Sequence, residues 1–293
     1  MSDHPSPLAA FSDQLAALAS LGAARTVAVH GRDGRARSGL LWAEGLVVTA
    51  EEALERDDEL ALTLPDGRQV PATLAGRDPG TDVALLRAET GPVDALPLAP
   101  PGALAAGHLL LAIGRAEHGP LVAFGLAAQV GGPWRSMRGG RLERRIQLGL
   151  RLDPAAEGGA VLDHAGRLLG MAVPGPRRRA LAIPAETIAR SVEQLHSRGR
   201  IARGYLGLAL QPVRTEALRG LIVVGADPLS PAGKAGILLG DVLTAWDDTP
   251  LGSVREMLAR LDHESIGADV TLDLVRGGRP LRLAVRIGER AAA

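Results

Sequence analysis

The 293-residue chain contains no cysteine, a single lysine (Lys234), one tyrosine, two phenylalanines and three tryptophans. Without thiols it forms neither disulfides nor thiolate metal sites. One lysine among 33 basic residues is an arginine bias and not a functional signal. The 33 acidic residues cancel the basic ones, so no overall field draws the chain to a nucleic acid or an anionic membrane. Aromatic residues do not interleave with the basic runs Arg135 to Arg145 and Arg177 to Arg179. Those runs therefore read as solvated loops and not as platforms for stacked bases. The start, Met1 to Pro7, has neither a basic cluster nor an unbroken apolar run, so it predicts no signal peptide and no membrane span. With Met1 as the native start, the expected location is the cytoplasm. No internal repeat or low-complexity tract stands out.

What is present suits a soluble globular protein with two domains. Ser6 as N-cap and Pro7 at the first helical position open an amphipathic helix through Leu8, Phe11, Leu15 and Leu18, expected to stop at Gly22 and to pack on the first barrel of a β domain. Strand signals follow. Leu60, Leu62 and Leu64 alternate into a Pro65-Asp66-Gly67 turn and return through Val70 and Leu74, and short strands punctuated in this way predict an all-β domain. A second helix carries Ile188, Val192 and Leu195 on one face before Gly199. Further on, Ser253 and Glu256 form a capping box ahead of an apolar stripe, Val254, Met257, Leu258 and Leu261. A closing hairpin runs through Val270, Leu272 and Leu274, turns at Gly277-Gly278, and returns through Leu281, Leu283, Val285 and Ile287.

Three segments carry the chemistry. The first is Asp153-Pro154-Ala155-Ala156-Glu157-Gly158-Gly159, followed by Asp163-His164-Ala165-Gly166-Arg167-Leu168-Leu169-Gly170; the second is Gly76-Arg77-Asp78-Pro79-Gly80-Thr81-Asp82-Val83-Ala84-Leu85-Leu86; the third is Leu46 to Leu54, which includes Glu52. Together they resemble the serine, aspartate and histidine segments of the HtrA/Deg family of trypsin-like serine proteases. The resemblance implies a mainly β fold, a trypsin-like double β-barrel followed by a small α/β PDZ domain. The expected boundaries are an N-terminal helical segment 1–25, an inactive protease-like domain 26–183, a linker helix 184–203 and a PDZ domain 204–290. Asp82 keeps the orienting position, while Glu52 and Glu157 stand where histidine and serine belong. Acyl transfer needs a nucleophile, a base and oxyanion donors. No substitute is at hand, because no histidine occurs between His30 and His108 and Ser136 is the only serine between Phe124 and Thr187. Ala155 also replaces the glycine two residues before the nucleophile, where a Cβ restricts the backbone.

The carboxylates of Glu52, Asp82 and Glu157 are expected to converge and to raise one another's pKa values. Arg151, at the base of the specificity pocket in the resembling fold, is the candidate partner for Glu157 or Glu52. A neutralised cluster without a task, a hard-cation site, a carboxylate-based hydrolysis and a pocket gripping a partner's side chain all remain open; no metal and no cofactor is assigned.

The stretch Leu229 to Leu243, with Ser230-Pro231-Ala232, Ala235-Gly236 and Gly240-Asp241, resembles the signature of HtrA-type PDZ domains. The resemblance implies a groove in which Gly204, Tyr205, Leu206 and Gly207 present amides to a C-terminal carboxylate. Leu206, Leu208, Met257 and Leu261 would receive the last side chain. The expected partners are protein C-termini or extended peptides, with no nucleic acid and no membrane. The sequence therefore points to a pseudoprotease acting as an adaptor, chaperone-like or assembly factor. A regulatory subunit of an active HtrA-like paralogue, in a homo- or hetero-trimer, and a carboxylate- or metal-dependent hydrolase are the alternatives.

Overall fold

In a computed structural model the chain divides into two compact units, Met1–Arg200 and Ile201–Ala293. The description covers residues 6–31, 35–54, 60–176, 179–215, 218–262 and 265–289; Arg177 and Arg178 of the second basic run lie outside it. The first unit is mainly β, as the strand alternation predicts. Strands β1 (Thr26–His30), β2 (Ala36–Ala43), β3 (Leu46–Thr49), β4 (Leu60–Thr63), β5 (Gln69–Asp78) and β6 (Val83–Ala88) close a barrel in the order β1-β2-β3-β6-β5-β4. Its interior is Val27, Val29, Val47, Leu62, Leu64 and Leu86. Each such side chain contributes roughly 1.5–3 kcal/mol when removed from water.

A second barrel repeats the plan. It is built from β7 (Leu109–Ala116), β8 (Gly119–Gly131), β11 (Arg145–Gly149), β12 (Ala160–Asp163), β13 (Leu168–Pro174) and β14 (Ala180–Pro184), in the order β11-β14-β13-β12-β7-β8. Between β8 and β11 a small hairpin of β9 (Trp134–Arg135) and β10 (Arg141–Leu142) stands apart. Helix α1 (Pro7–Ala23) is capped by Ser6, whose Oγ accepts the Ala9 amide at 3.2 Å. Contrary to expectation, it lies mainly on β7 and β12 of the second barrel, with β1 touched as well. Leu15, Leu18 and Leu21 pack there against a cluster containing Leu111, Ile113, Leu162 and Leu168. Gly22 does not stop the helix, which continues to Ala23. A Cβ at Gly22 would sit 2.2 Å from Ile113 Cδ1, so this glycine permits a close approach. Helix α2 (Ala185–Arg198) ends where Gly199 turns left-handed (φ 69°) and returns its amide to Leu195 O, the C-terminal device expected of glycine.

The second unit contains β15 (Gly204–Tyr205), β16 (Leu208–Arg214), β17 (Arg219–Ala226), α3 (Pro231–Lys234), β18 (Val242–Trp246), β19 (Thr249–Pro250), α4 (Val254–Arg260), β20 (Asp269–Arg276), β21 (Arg279–Arg286) and β22 (Gly288–Glu289). Its main sheet runs β16-β17-β18-β20-β21, so β16 is an edge. The signature segment proves structural. Ser230 caps α3 through the Gly233 amide. Asp241, 1% exposed, takes a two-pronged bond from Arg276 at 2.8 Å on each oxygen, and the same guanidinium reaches Gly236 O. Burial acts to raise the Asp241 carboxyl, but the Arg276 bonds and the Leu238 amide outweigh it and hold the group below the ordinary aspartate value. No helix among the described residues is long and apolar enough to cross a membrane.

Candidate functional site

In the first unit, Asp82 sits in the turn between β5 and β6 with a left-handed backbone (φ 60°), a conformation that aspartate tolerates better than most residues. The turn is built below it: Asp78 accepts the Gly80 amide, the Thr81 hydroxyl and the Ser191 hydroxyl of α2. Asp82 Oδ1 accepts the backbone amide of Glu52 at 2.8 Å. The Glu52 side chain is exposed, and its Oε1 lies 3.2 Å from Arg138 Nη2. Glu51, which no motif in the sequence marks, is the better buried neighbour. It is bridged by Arg77 at 3.1 Å and by Arg138 at 2.8 Å.

Glu157 closes a 3-10 turn, Pro154–Ala156, that Asp153 caps. Its carboxylate is 12% exposed and lies 3.3 Å from Arg37 Nε, a charge pair without the alignment of a hydrogen bond. Arg151 does not play the expected part: it is exposed, while Arg37 and Arg138 supply the positive charge. The loop is pinned to the first barrel through Ser38 on β2, whose amide donates to Glu157 O at 2.8 Å and whose hydroxyl donates to Ala155 O at 2.6 Å. Gly158 (φ 86°) is required here, because a Cβ would lie 2.1 Å from Ser38 O.

The amides in the turn face inward. Ala155 N–H donates to Asp153 Oδ1 at 2.8 Å, Ala156 N–H to Asp153 O at 2.9 Å and Glu157 N–H to Pro154 O at 3.4 Å. Thus the amides of residue 157 and of the residue two before it, the pair that forms an oxyanion hole in a Ser-His-Asp site, are both turned onto their own loop.

Electrostatics follow the geometry in the expected direction. Burial pushes the Asp82 carboxyl up to about 7, against the Glu52 amide bond and with the charges of Glu52, Glu157 and Glu51 adding to it. Burial also raises Glu157, opposed by Arg37 and assisted by Glu52. Among the described residues no three metal-ligating side chains stand close enough to hold an ion. The Arg135–Arg145 run is less bland than a solvated loop: Arg138 bridges the glutamates, Ser136 Oγ donates to Gly80 O at 2.6 Å, and Arg144 pairs with Glu186 at 2.7 Å. Nothing in the spacing of Arg37 or Arg138 signals these roles, since both depend on contact between distant segments.

The second unit holds a groove of about 260 Å³ between β16 and α4. Gly204, Tyr205, Leu206, Gly207, Leu208, Met257 and Leu261 all line it, joined by Leu210, Val254 and Leu258. Leu210 was missed, although its alternation with Leu208 along one strand marks it. Leu206 and Met257 are 3% and 2% exposed and belong to the domain core, so they form the floor; Leu258, 47% exposed, forms the rim. The Ser253-Glu256 box that starts α4 is formed, with Glu256 reaching back to the Gly252 amide at 2.8 Å. At the end of the groove Gly207 is left-handed (φ 79°). The Leu206 and Gly207 carbonyls are taken by Ala232 and Asp227, while the Leu206 and Gly207 amides donate to no other described residue. Two free amides beside an apolar trough at a sheet edge match what an added strand ending in a carboxylate requires.

Comparison with known proteins gives the same two parts. A trypsin-like peptidase domain family matches residues 37–171 and a PDZ domain family residues 204–287. The periplasmic serine endoprotease DegP of Salmonella typhimurium is 28% identical over 261 residues, covering 84% of this chain and 54% of that protein. The chain spans about half the length of the curated relatives it matches first. Two structures of the HtrA-type protease AlgW superpose: one with a tripeptide, at TM-score 0.72 and 25% identity over 95% of this chain and 98% of the other, and one with a decapeptide, at TM-score 0.75 and 24% identity over 95% and 99%.

Proposed function

The chain belongs to the HtrA family, and from that premise we propose that it is a catalytically inactive member that binds protein C-termini or extended peptides as an adaptor, chaperone-like or assembly factor. One observation carries the inactivity: position 157 is a carboxylate tied to Arg37, in a turn whose own amides are already engaged. A carboxylate so placed repels a developing oxyanion instead of creating one. Binding is supported by the Leu206 and Gly207 amides at the end of the groove, which donate to no other described residue, and the similar AlgW structure at 25% identity holds a tripeptide. Assembly with copies of itself, or with an active relative as regulatory subunit, belongs to the same proposal. Leu8, Phe11, Phe124 and Leu126 leave apolar surface exposed, Phe11 and Phe124 meeting edge to face at 6.0 Å. A metal-dependent hydrolase gains no support from the carboxylates as they stand.

The test is peptide capture by the full chain. Peptides ending in Val, Leu, Ile or Phe with a free carboxylate are expected to bind with a dissociation constant on the order of micromolar or weaker, given the small area and the entropy of ordering a flexible strand. Fluorescence polarisation of the best ligand, then of its C-terminal amide, decides the matter. Equal affinity of acid and amide refutes carboxylate recognition.

A further inference from the structure

The seam between the two barrels is charged from both sides. Arg37 on β2 of the first barrel meets Glu157 of the second, while Arg138, in the β9–β10 turn, crosses back to Glu51 and Glu52. Arg77 on β5 also reaches Glu51. Among the described residues, the four carboxylates of Glu51, Glu52, Asp82 and Glu157 thus stand against three guanidiniums, those of Arg37, Arg77 and Arg138. Among the described residues none of the three pairs with Asp82, whose carboxylate takes the Glu52 amide. Arg115 on β7 turns its Nε to Thr26 O and its Nη2 to Ala23 O, each at 2.8 Å. The same seam holds the Ser38 hydrogen bonds to Glu157 O and Ala155 O.

We propose that this cluster makes the barrel seam a proton-dependent clamp, tight while Asp82 holds a proton and loosened around Glu157 and Ser38 once Asp82 ionises among the three glutamates. Ionised, Asp82 adds a negative charge beside Glu51, Glu52 and Glu157 in a half-buried site; protonated, it keeps its Oδ1 bond to the Glu52 amide without the repulsion. Burial places the Asp82 transition at about 7 and moves Glu157 in the same direction. A carboxyl that binds its proton more tightly folded than unfolded contributes stability that is fully present below the unfolded pKa and is lost as pH rises through the folded one. For Asp82 the window runs from the ordinary 3.8 up to about 7. The clamp does not depend on the binding function proposed above.

The test uses the full chain and Asp82→Asn, which keeps an acceptor for the Glu52 amide and tolerates the left-handed backbone but cannot ionise. The melting temperature of the variant should exceed that of the parent by about 3 °C or more at about pH 8, by a smaller margin at about pH 5, and converge with it only below about pH 4. Hydrogen-exchange protection of the Ser38 amide, corrected for intrinsic rate, should fall about tenfold between about pH 6 and 8 in the parent and stay level in the variant. A melting gap independent of pH, or Ser38 protection that changes equally in both proteins, overturns the clamp. Should the variant fail to fold, the carboxyl carbon titration of the parent decides: an Asp82 midpoint near neutrality supports the proposal, and an ordinary aspartate midpoint overturns it.

Discussion

Asp153 reaches forward two residues to accept the Ala155 amide, and the next two amides fold back onto Asp153 and Pro154. Restoring the side chains of a triad leaves this arrangement in place. Since loss of one oxyanion donor costs about 10²–10³ in kcat, the Glu52→His, Glu157→Ser double variant should cleave casein at least about 100-fold more slowly than a variant that also carries Ala155→Gly and Asp153→Ala, which removes the side-chain acceptor of the residue-155 amide. Equal rates would show that the turn opens without help. The Asp153 cap was present in the sequence as an Asp-Pro pair, but its effect on the Ala155 amide depends on the turn being 3-10, and that depends in turn on Ser38 holding the loop from another barrel.

Among the elements, β16 and α4 define what the groove selects. Successive side chains of an added strand point to opposite faces, so the last residue of a bound peptide and the one two before it both point into the groove. The first would meet Leu208 and Leu261 over the Leu206 and Met257 floor; the second would meet Leu210, Val254 and Leu258, which line the same groove. Peptides apolar at both positions should bind about tenfold more tightly than those with aspartate at the third-from-last position, roughly the effect of burying or losing 1.4 kcal/mol of apolar contact. Leu258→Asp, at an exposed rim position, should erase that preference while leaving the melting temperature nearly unchanged. An intact preference in this variant places the second side chain elsewhere. Leu206 and Met257 are unsuitable for the same purpose, because a charge at either buried site unfolds the domain.

Over the whole molecule, the architecture was legible because it rests on local signals: alternation in β4 and β5, Ser6 with Pro7 at α1, Ser253 with Glu256 at α4, and the Ser230-to-Asp241 segment. The groove residues were legible for the same reason, lying within two short segments. What escaped was contact between distant segments. Helix α1 was assigned to the wrong barrel because its apolar face fits any apolar partner, and only the clearance at Gly22 identifies Ile113 and Leu162 as its neighbours. Arg151 was chosen as the counter-ion by analogy of position, whereas Arg37 and Arg138 arrive from β2 and from the β9–β10 turn.

With Glu52 and Glu157 in place of a base and a nucleophile, and the amides of residues 155 and 157 engaged within their own turn, the proposed loss of acyl transfer is open to direct measurement. The purified full chain is incubated with unfolded casein and with a fluorophosphonate serine probe. Intact casein and an unlabelled chain are expected; labelling of the chain, or casein cleavage that disappears in Glu157→Ala, overturns the proposed inactivity.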